Sequence, residues 1–118
     1  MNQPMLTIVR VEEEYPELLA AAMPFIDAYI IRDNKNTQAQ SYDEKVKLAT
    51  AHGYASVSDW LSAIQYYKGM VFMFGIAVFT AVNGHRPQGA EDEVKIIQFL
   101  EQLSSKRIQE LARKNQGN

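Results

Sequence analysis

The chain has 118 residues, of which 47% are hydrophobic and 22% charged, with a formal net charge of −2, the balance of one folded domain and not of a disordered chain. It has no cysteine, which excludes disulfides, thiolate metal sites and thiol catalysis. The slightly acidic balance also lacks the basic field that nucleic acid or an anionic bilayer attracts, so neither is an expected partner.

The front of the chain predicts an arm or an irregular lead-in over residues 1–14, within a single helical domain spanning 1–118. LTIVRV at 6–11 is rich in branched residues, but no partner strand is evident. An extended arm and a short helix therefore both remain open. Residues 1–15 lack the apolar core and cleavage site of a signal peptide. We expect a cytoplasmic protein if the chain is complete, and a periplasmic or secreted one if a leader has been removed.

Two prolines organise the next segment. Pro16 suits the first position of a helix, so a helix is expected to begin near Tyr15. Pro24 then either kinks that helix or starts a second piece that reaches Arg32. Residues 33–40, DNKNTQAQ, predict a polar loop.

The middle of the chain repeats one helix-start signal. A serine is followed three residues later by an acidic residue at Ser41 and again at Ser56. Such a serine accepts a hydrogen bond from an otherwise unpaired amide at the helix start. We expect the first helix to end at Gly53 and the second to run over about 57–82.

The last predicted helix, over about 90–114, is amphipathic. Acidic residues occupy its first turn and basic residues its last, which complements the helix dipole. Residues 115–118 predict a frayed tail. The apolar stripe of this helix is expected at Val94, Ile97, Leu100, Ile108 and Leu111, widened by Ile96, Phe99 and Leu103.

Residues 69–82, GMVFMFGIAVFTAV, contain no charge and raise the question of a membrane span. Fourteen helical residues reach only about 21 Å, whereas the hydrocarbon layer is about 30 Å thick. Extending the segment back to Trp60 includes Lys68, and a central lysine costs about 3 kcal/mol on insertion. We therefore predict a core helix, in which small residues such as Gly69 and Ala77 let neighbouring helices approach. Any part that the other helices leave uncovered would be buried by self-association or by a partner.

The predicted fold is all-α, a small domain of four main helices. The two long helices, about 57–82 and 90–114, are expected to form an antiparallel hairpin against which the front helices pack.

Five residues are candidates for a ligand-binding site: Asp27, Tyr66, Lys68, Phe72 and His85. Asp27 has apolar helical neighbours, so burial would raise its pKa unless a donor such as Lys68 or a tyrosine hydroxyl meets it. A bend in its helix would instead turn it to solvent. His85 occupies a turn that acidic residues follow. The aromatic side chains could line an apolar pocket, although aromatic residues at helical spacing more often serve simple packing.

No catalytic grouping is evident in the sequence. It contains no nucleophile elbow, P-loop, dinucleotide loop or set of metal ligands at defined spacing. No catalytic residue, metal or cofactor is therefore predicted. An enzyme would need a cleft in which Asp27 or His85 meets a second polar side chain. His52, in the last turn of a predicted helix, suits a capping role.

HGYASVSDW at 52–60, followed by MVFMFGI, resembles a pattern of small helical secreted or periplasmic bacterial proteins. In those proteins a short helix ends in Gly-aromatic, a serine caps the next helix, and an aromatic residue opens it. The resemblance covers about residues 45–76. Because such proteins are largely of unknown function, it implies no catalytic residue and favours only a trimmed leader.

The predicted function is a non-enzymatic protein-interaction or structural domain, with itself or another protein as partner through the apolar helix. One alternative is a carrier of a small apolar ligand held between helices, which a closed cavity lined by Phe72, Phe74 and Tyr66 would favour. The other alternative is a membrane-associated helical protein, which detergent-dependent solubility would favour.

Overall fold

A computed structural model describes residues 6–32 and 41–116. Those residues form five α-helices and no strand, so the predicted all-α class is confirmed. The predicted polar loop at 33–40 lies outside the described residues. The helices are α1 (Ile8–Glu14), α2 (Pro16–Arg32), α3 (Tyr42–Ala51), α4 (Val57–Asn83) and α5 (Gly89–Gln116).

Helix α1 is the short helix that the sequence left open as an alternative to an extended arm, and it brings the described helices to five, beside the four main ones predicted. Its N-cap is Thr7, whose Oγ1 accepts a hydrogen bond from the backbone N–H of Arg10 at 3.1 Å. The fully buried Val11 holds the helix against the core. The helix ends at Glu14 because Pro16 disfavours a helical conformation in Tyr15, the residue before it.

Helix α2 continues through Pro24 as one element, so the predicted second piece does not form. A proline inside a helix leaves the carbonyl four residues earlier without its N–H donor. Both Pro24 and Ala20 lie on the exposed side of α2, where water can satisfy that carbonyl.

The caps of α3 and α4 follow the predicted pattern. Ser41 Oγ accepts the backbone N–H of Glu44 at 3.3 Å, and Ser56 Oγ accepts that of Asp59 at 3.0 Å. Helix α4 ends at Gly84, whose φ of 77° is left-handed and therefore suits glycine. The predicted bounds of α4 are confirmed to within a residue.

Helix α4 is the central element, and α2 packs antiparallel against it. Near the start of α2, the Tyr15 hydroxyl donates to the carbonyl of Ala81 at 3.1 Å. At its end, the Arg32 guanidinium lies 4.8 Å from the ring centre of Tyr67. Helix α3 contacts the first half of α4.

Helices α4 and α5 form the predicted antiparallel hairpin and approach each other closely at Gly75. A Cβ at this position would lie 2.7 Å from Ile96 Cγ2 and 3.0 Å from Leu100 Cδ1. Next to it, the rings of Phe74 and Phe99 are 6.2 Å apart. Glycine therefore sets the distance between the two long helices.

Most of the buried hydrophobic side chains belong to two clusters. The larger one joins α1, α2, α4 and α5, and the smaller one joins α3 to the start of α4. The larger cluster consists of Val11, Ala22, Ile26, Val71, Phe74, Val78, Phe99 and Leu103, and the smaller of Ala49, Val57, Trp60 and Ile64.

The buried stripe of α5 differs from the predicted one. Ile96, Phe99 and Leu103, expected at its margin, are buried, while three of the residues expected at its centre are exposed: Val94, Ile97 and Ile108. The apolar band of α5 is wider than its contact with α4, and α1 and α2 cover only one side of it. The helix also continues to Gln116, so the predicted frayed tail does not begin at 115; residues 117–118 lie outside the described residues.

The molecule is thin, with principal extents of 54 × 39 × 22 Å. A helix with its side chains is about 10–12 Å across, so the shortest dimension holds about two layers of helices. Two layers cannot surround a central helix, and one side of α4 is therefore left uncovered.

Candidate functional site

The outer face of α4 is the uncovered side of the central helix. Its residues are exposed or half-buried, and no charged residue occurs between Gly69 and Asn83. The exposed fraction of Met73 is 63%, whereas Phe79 on the opposite side is buried. The prediction of a core helix is therefore correct for one side of α4 only. The outer face comprises Gly69, Met70, Met73, Ile76, Ala77 and Thr80.

The sequence predicts that the small residues of α4 let neighbouring helices pack closely. The structure shows that not all of them do. Gly75 alone faces α5 closely, whereas Gly69, Ala77 and Ala81 are exposed. A Cβ at Gly69 would meet nothing within 4 Å. The outer face thus keeps a shallow surface that another helix could approach closely.

Polar side chains near the outer face bond back to their own helix. Thr80 Oγ1 donates to the carbonyl of Ile76 at 2.8 Å, and Asn83 Nδ2 donates to that of Phe79 at 3.0 Å. Such back-bonding satisfies the side-chain donor without water or a partner. The outer face therefore has an apolar composition, and the side-chain donors of Thr80 and Asn83 are already satisfied by backbone carbonyls of α4.

An open cleft of about 930 Å³ runs between α4 and α5, beside the outer face. Its floor is apolar, with Val71 and Phe72 from α4 and Ile97 and Leu100 from α5. Polar side chains gather at one end. We call it the α4–α5 cleft; it is lined by Tyr29, Gln65, Lys68, Gly69, Val71, Phe72, Ile97, Leu100, Glu101, Ser104 and Ser105.

Lys68 and Glu101 give the polar end of the cleft one charge of each sign. Lys68 comes from α4 and Glu101 from α5, so they stand on opposite walls. Both side chains are exposed, and neither forms an ion pair with any residue in 6–32 or 41–116. The two charges are therefore available to a molecule that enters the cleft.

Two of the five candidate residues line this cleft and three do not. Lys68 and Phe72 are part of it. Tyr66 is 58% exposed outside it, with its ring edge-to-face against Tyr67 at 5.3 Å. Phe74, expected beside Phe72 in a ligand cavity, is buried in the larger core cluster.

Asp27 pairs with Arg107 of α5, which is not among the donors, Lys68 or a tyrosine hydroxyl, that the sequence suggests for it. The guanidinium binds the carboxylate through two hydrogen bonds, Nε to Oδ1 at 2.7 Å and Nη2 to Oδ2 at 2.9 Å. The hydrogen bond to Asp27 raises the pKa of Arg107, and a second bond to Glu110 adds to the shift. The pair lies outside the cleft and ties α2 to α5. Sequence alone could not find it, because 80 residues separate its members.

The two histidines occupy different environments. His85 is exposed in the α4–α5 turn, with Nδ1 2.8 Å from the carbonyl oxygen of Arg86 and its ring edge-to-face with Phe79. His52 ends α3 and stacks on Trp60 at 6.0 Å. In the part of the chain that the structure describes, no three His, Cys, Asp or Glu residues converge as metal ligands would.

Helix α4 is also, among the described helices, the one with the length and apolar composition to cross a membrane. In its most apolar 18-residue window, 28% of the residues are buried inside the protein. Length and composition alone carry this observation, because the core helix of a soluble protein meets the same test.

Comparison with known proteins gives no indication of function. No protein-family model matches the chain, and neither the curated proteins nor the solved structures yield a match. The resemblance of residues 52–60 to small secreted or periplasmic helical proteins therefore stays a prediction.

Proposed function

We propose that this protein is a non-enzymatic interaction domain that binds another protein chain through its α4–α5 face. We define the α4–α5 face as the outer face of α4 together with the α4–α5 cleft. The observation that carries the proposal is the uncharged, exposed surface of α4 around Met73. Burying apolar surface contributes about 25 cal/mol per Å², and contiguous apolar patches of this kind mark interaction sites.

A protein partner suits this face better than a lipid one. Inserting α4 across a bilayer would strip away its contacts with α2 and α5, where Val78 and Phe79 are fully buried. Lying flat on an anionic membrane would call for a basic border, whereas Lys68 is matched by Glu101 and the net charge is −2. An apolar centre with balanced charges at its rim is typical of protein interfaces.

The cleft supports a second candidate, the binding of a small apolar ligand. Its volume of about 930 Å³ falls in the range of ligand sites, and Phe72 and Leu100 give it an apolar floor. However, the cleft is open and continues into the outer face of α4, where a small ligand would leave Met73 uncovered. This continuity favours a macromolecular partner.

Site-specific photocrosslinking tests the proposal, because it captures whichever molecule contacts the chosen position. A photoreactive amino acid would replace Met73 on the α4–α5 face or Val9 on α1, which are 63% and 62% exposed. The adducts formed in cells that express the full chain would then be identified by mass spectrometry. We expect protein adducts from position 73 and far fewer from position 9. Lipid adducts alone, or equal yields from both positions, would contradict the proposal.

A further inference from the structure

We infer that the chain bound at the α4–α5 face is a second copy of this protein, related by a two-fold axis, with Lys68 of each copy paired to Glu101 of the other. This inference rests on the proposed function and names its partner. It is carried by the arrangement of charge and apolar surface around the α4–α5 cleft.

The charges of the cleft are self-complementary. A two-fold interface uses the same surface on both copies, so a contact from residue i to residue j is repeated from j to i. Lys68 and Glu101 stand on opposite walls, and neither has an ion-pair partner among the described residues. One two-fold rotation therefore satisfies four charges with two ion pairs. A face with a single sign of charge would repel its own copy.

The surface between these charges allows two helices to meet. Gly69 follows Lys68 and is open to solvent, with nothing within 4 Å of a Cβ placed there. One turn further, Met73 offers an exposed, flexible apolar side chain, a type that adapts to irregular contacts. Across the cleft, Ile97 is also exposed. The two copies of α4 would thus cross near Gly69, with Met73 and Ile97 buried between them.

The inference is tested with two charge reversals, Lys68→Glu and Glu101→Lys, in the full chain. Sedimentation velocity without detergent would measure the dimer dissociation constant. Each single variant places like charges opposite each other twice, so we expect its dissociation constant to rise at least about tenfold. The two single variants mixed in equal amounts should form a heterodimer with the affinity of the wild type. An ion pair within one chain could not produce that rescue, because each variant has lost it.

Matched controls separate the site from net charge. Lys47→Glu on α3 and Glu13→Lys on α1 make the same charge changes at exposed positions away from the cleft and should leave the dimer unchanged. Circular dichroism would confirm that every variant remains helical.

A wild-type chain that stays monomeric at all concentrations, or a dimer that neither reversal weakens, would overturn this inference. The same holds if the mixture fails to restore the dimer. Crosslinks from position 73 to a different protein would then still support the proposed function. If position 73 also gave no protein adducts, the proposed function would be contradicted together with this inference.

Discussion

Trp60 is a buried residue whose side chain packs in the core although its N–H group has no hydrogen-bond partner among the described residues. It is 1% exposed and stacks against His52 in the smaller core cluster. Its Nε1 is buried and has no acceptor within the described residues. A buried donor without a partner costs about 1–3 kcal/mol. The stability that Trp60 contributes therefore comes from the apolar area that it buries.

Replacing this indole should separate the two contributions. We expect Trp60→Phe to cost only about 1–2 kcal/mol, because the smaller ring loses part of the packing while removal of the unpaired N–H offsets some of that loss. Trp60→Ala should cost about 3–5 kcal/mol, since it leaves a cavity. Urea unfolding would measure both free energies. If phenylalanine proves as costly as alanine, Nε1 has a hydrogen-bond partner after all.

The Asp27–Arg107 pair has a geometry that exposed ion pairs rarely reach. Two parallel hydrogen bonds fix it, and both side chains are about three-quarters covered, with 28% and 24% exposed. In contrast, the Lys106–Glu12 pair is more exposed, with 41% of each side chain accessible. We expect the Asp27–Arg107 pair to stabilise the contact of α2 with α5 more strongly than the Lys106–Glu12 pair stabilises the contact of α1 with α5.

A double-mutant cycle would measure that difference. For Asp27→Asn with Arg107→Met, we expect a coupling free energy of about 1 kcal/mol. The same cycle on Glu12 and Lys106 should give about half as much or less, and less again at high salt, because solvent screens that pair more fully. Equal coupling in both cycles would show that the bidentate geometry adds nothing.

At the scale of the element, α4 is a helix with two unlike sides. Its buried side carries Gly75 where α5 approaches, and its outer side carries Gly69 where nothing does. Both residues are helical glycines, with the same low helix propensity. Only their surroundings differ, so the pair makes a matched comparison.

Alanine at the two positions should act in opposite directions. Gly69→Ala should stabilise the monomer by about 1 kcal/mol through helix propensity. Gly75→Ala gains the same amount, but it forces a methyl group against the fully buried Ile96, and overpacking costs about 1–3 kcal/mol. We expect a net loss of about 1 kcal/mol. Chemical unfolding at low protein concentration would show the two shifts, and equal shifts would contradict the close approach of α5.

The whole molecule is two helix layers thick, and this thinness leaves the outer face of α4 open. Helices α2 and α5 flank the central helix, while α1 covers the larger core cluster through Val11. A chain of this length has no further described helix with which to cover the remaining side. Association is the way in which such a surface is removed from water.

If the α4–α5 face binds a second copy, as we infer above, thermal stability should depend on protein concentration. A dimer that unfolds to two chains gains about 1.4 kcal/mol per tenfold rise in concentration, which corresponds to roughly 3 °C for a protein of this size. Scanning calorimetry of the wild type should show this trend. Met73→Lys should abolish it, and Val9→Lys, at an equally exposed position on α1, should preserve it. A midpoint independent of concentration in the wild type would argue against self-association.

The sequence was sufficient for features that depend on neighbours along the chain. The starts of α3 and α4 follow from Ser41 and Ser56, and the end of α4 follows from Gly84, because caps join residues within about one turn. The uncharged run at 69–82 is also evident from the sequence, and the candidate residues Lys68 and Phe72 lie beside and within it. The sequence does not predict a role for Glu101, because nothing local distinguishes it from the other exposed acidic residues of α5.

Tertiary structure alone decided which parts of these helices are covered. The sequence made α4 apolar on every side and α5 apolar over a wide band, but it did not say where neighbours would pack. The packing of α4 against α5 buried Ile96 and Phe99 and left Met73 and Ile97 exposed. The packing of α2 near α5 brought Arg107 to Asp27. Helical periodicity fixes the direction in which each side chain points from the axis of its helix. Burial depends in addition on contacts between residues that lie far apart in the chain.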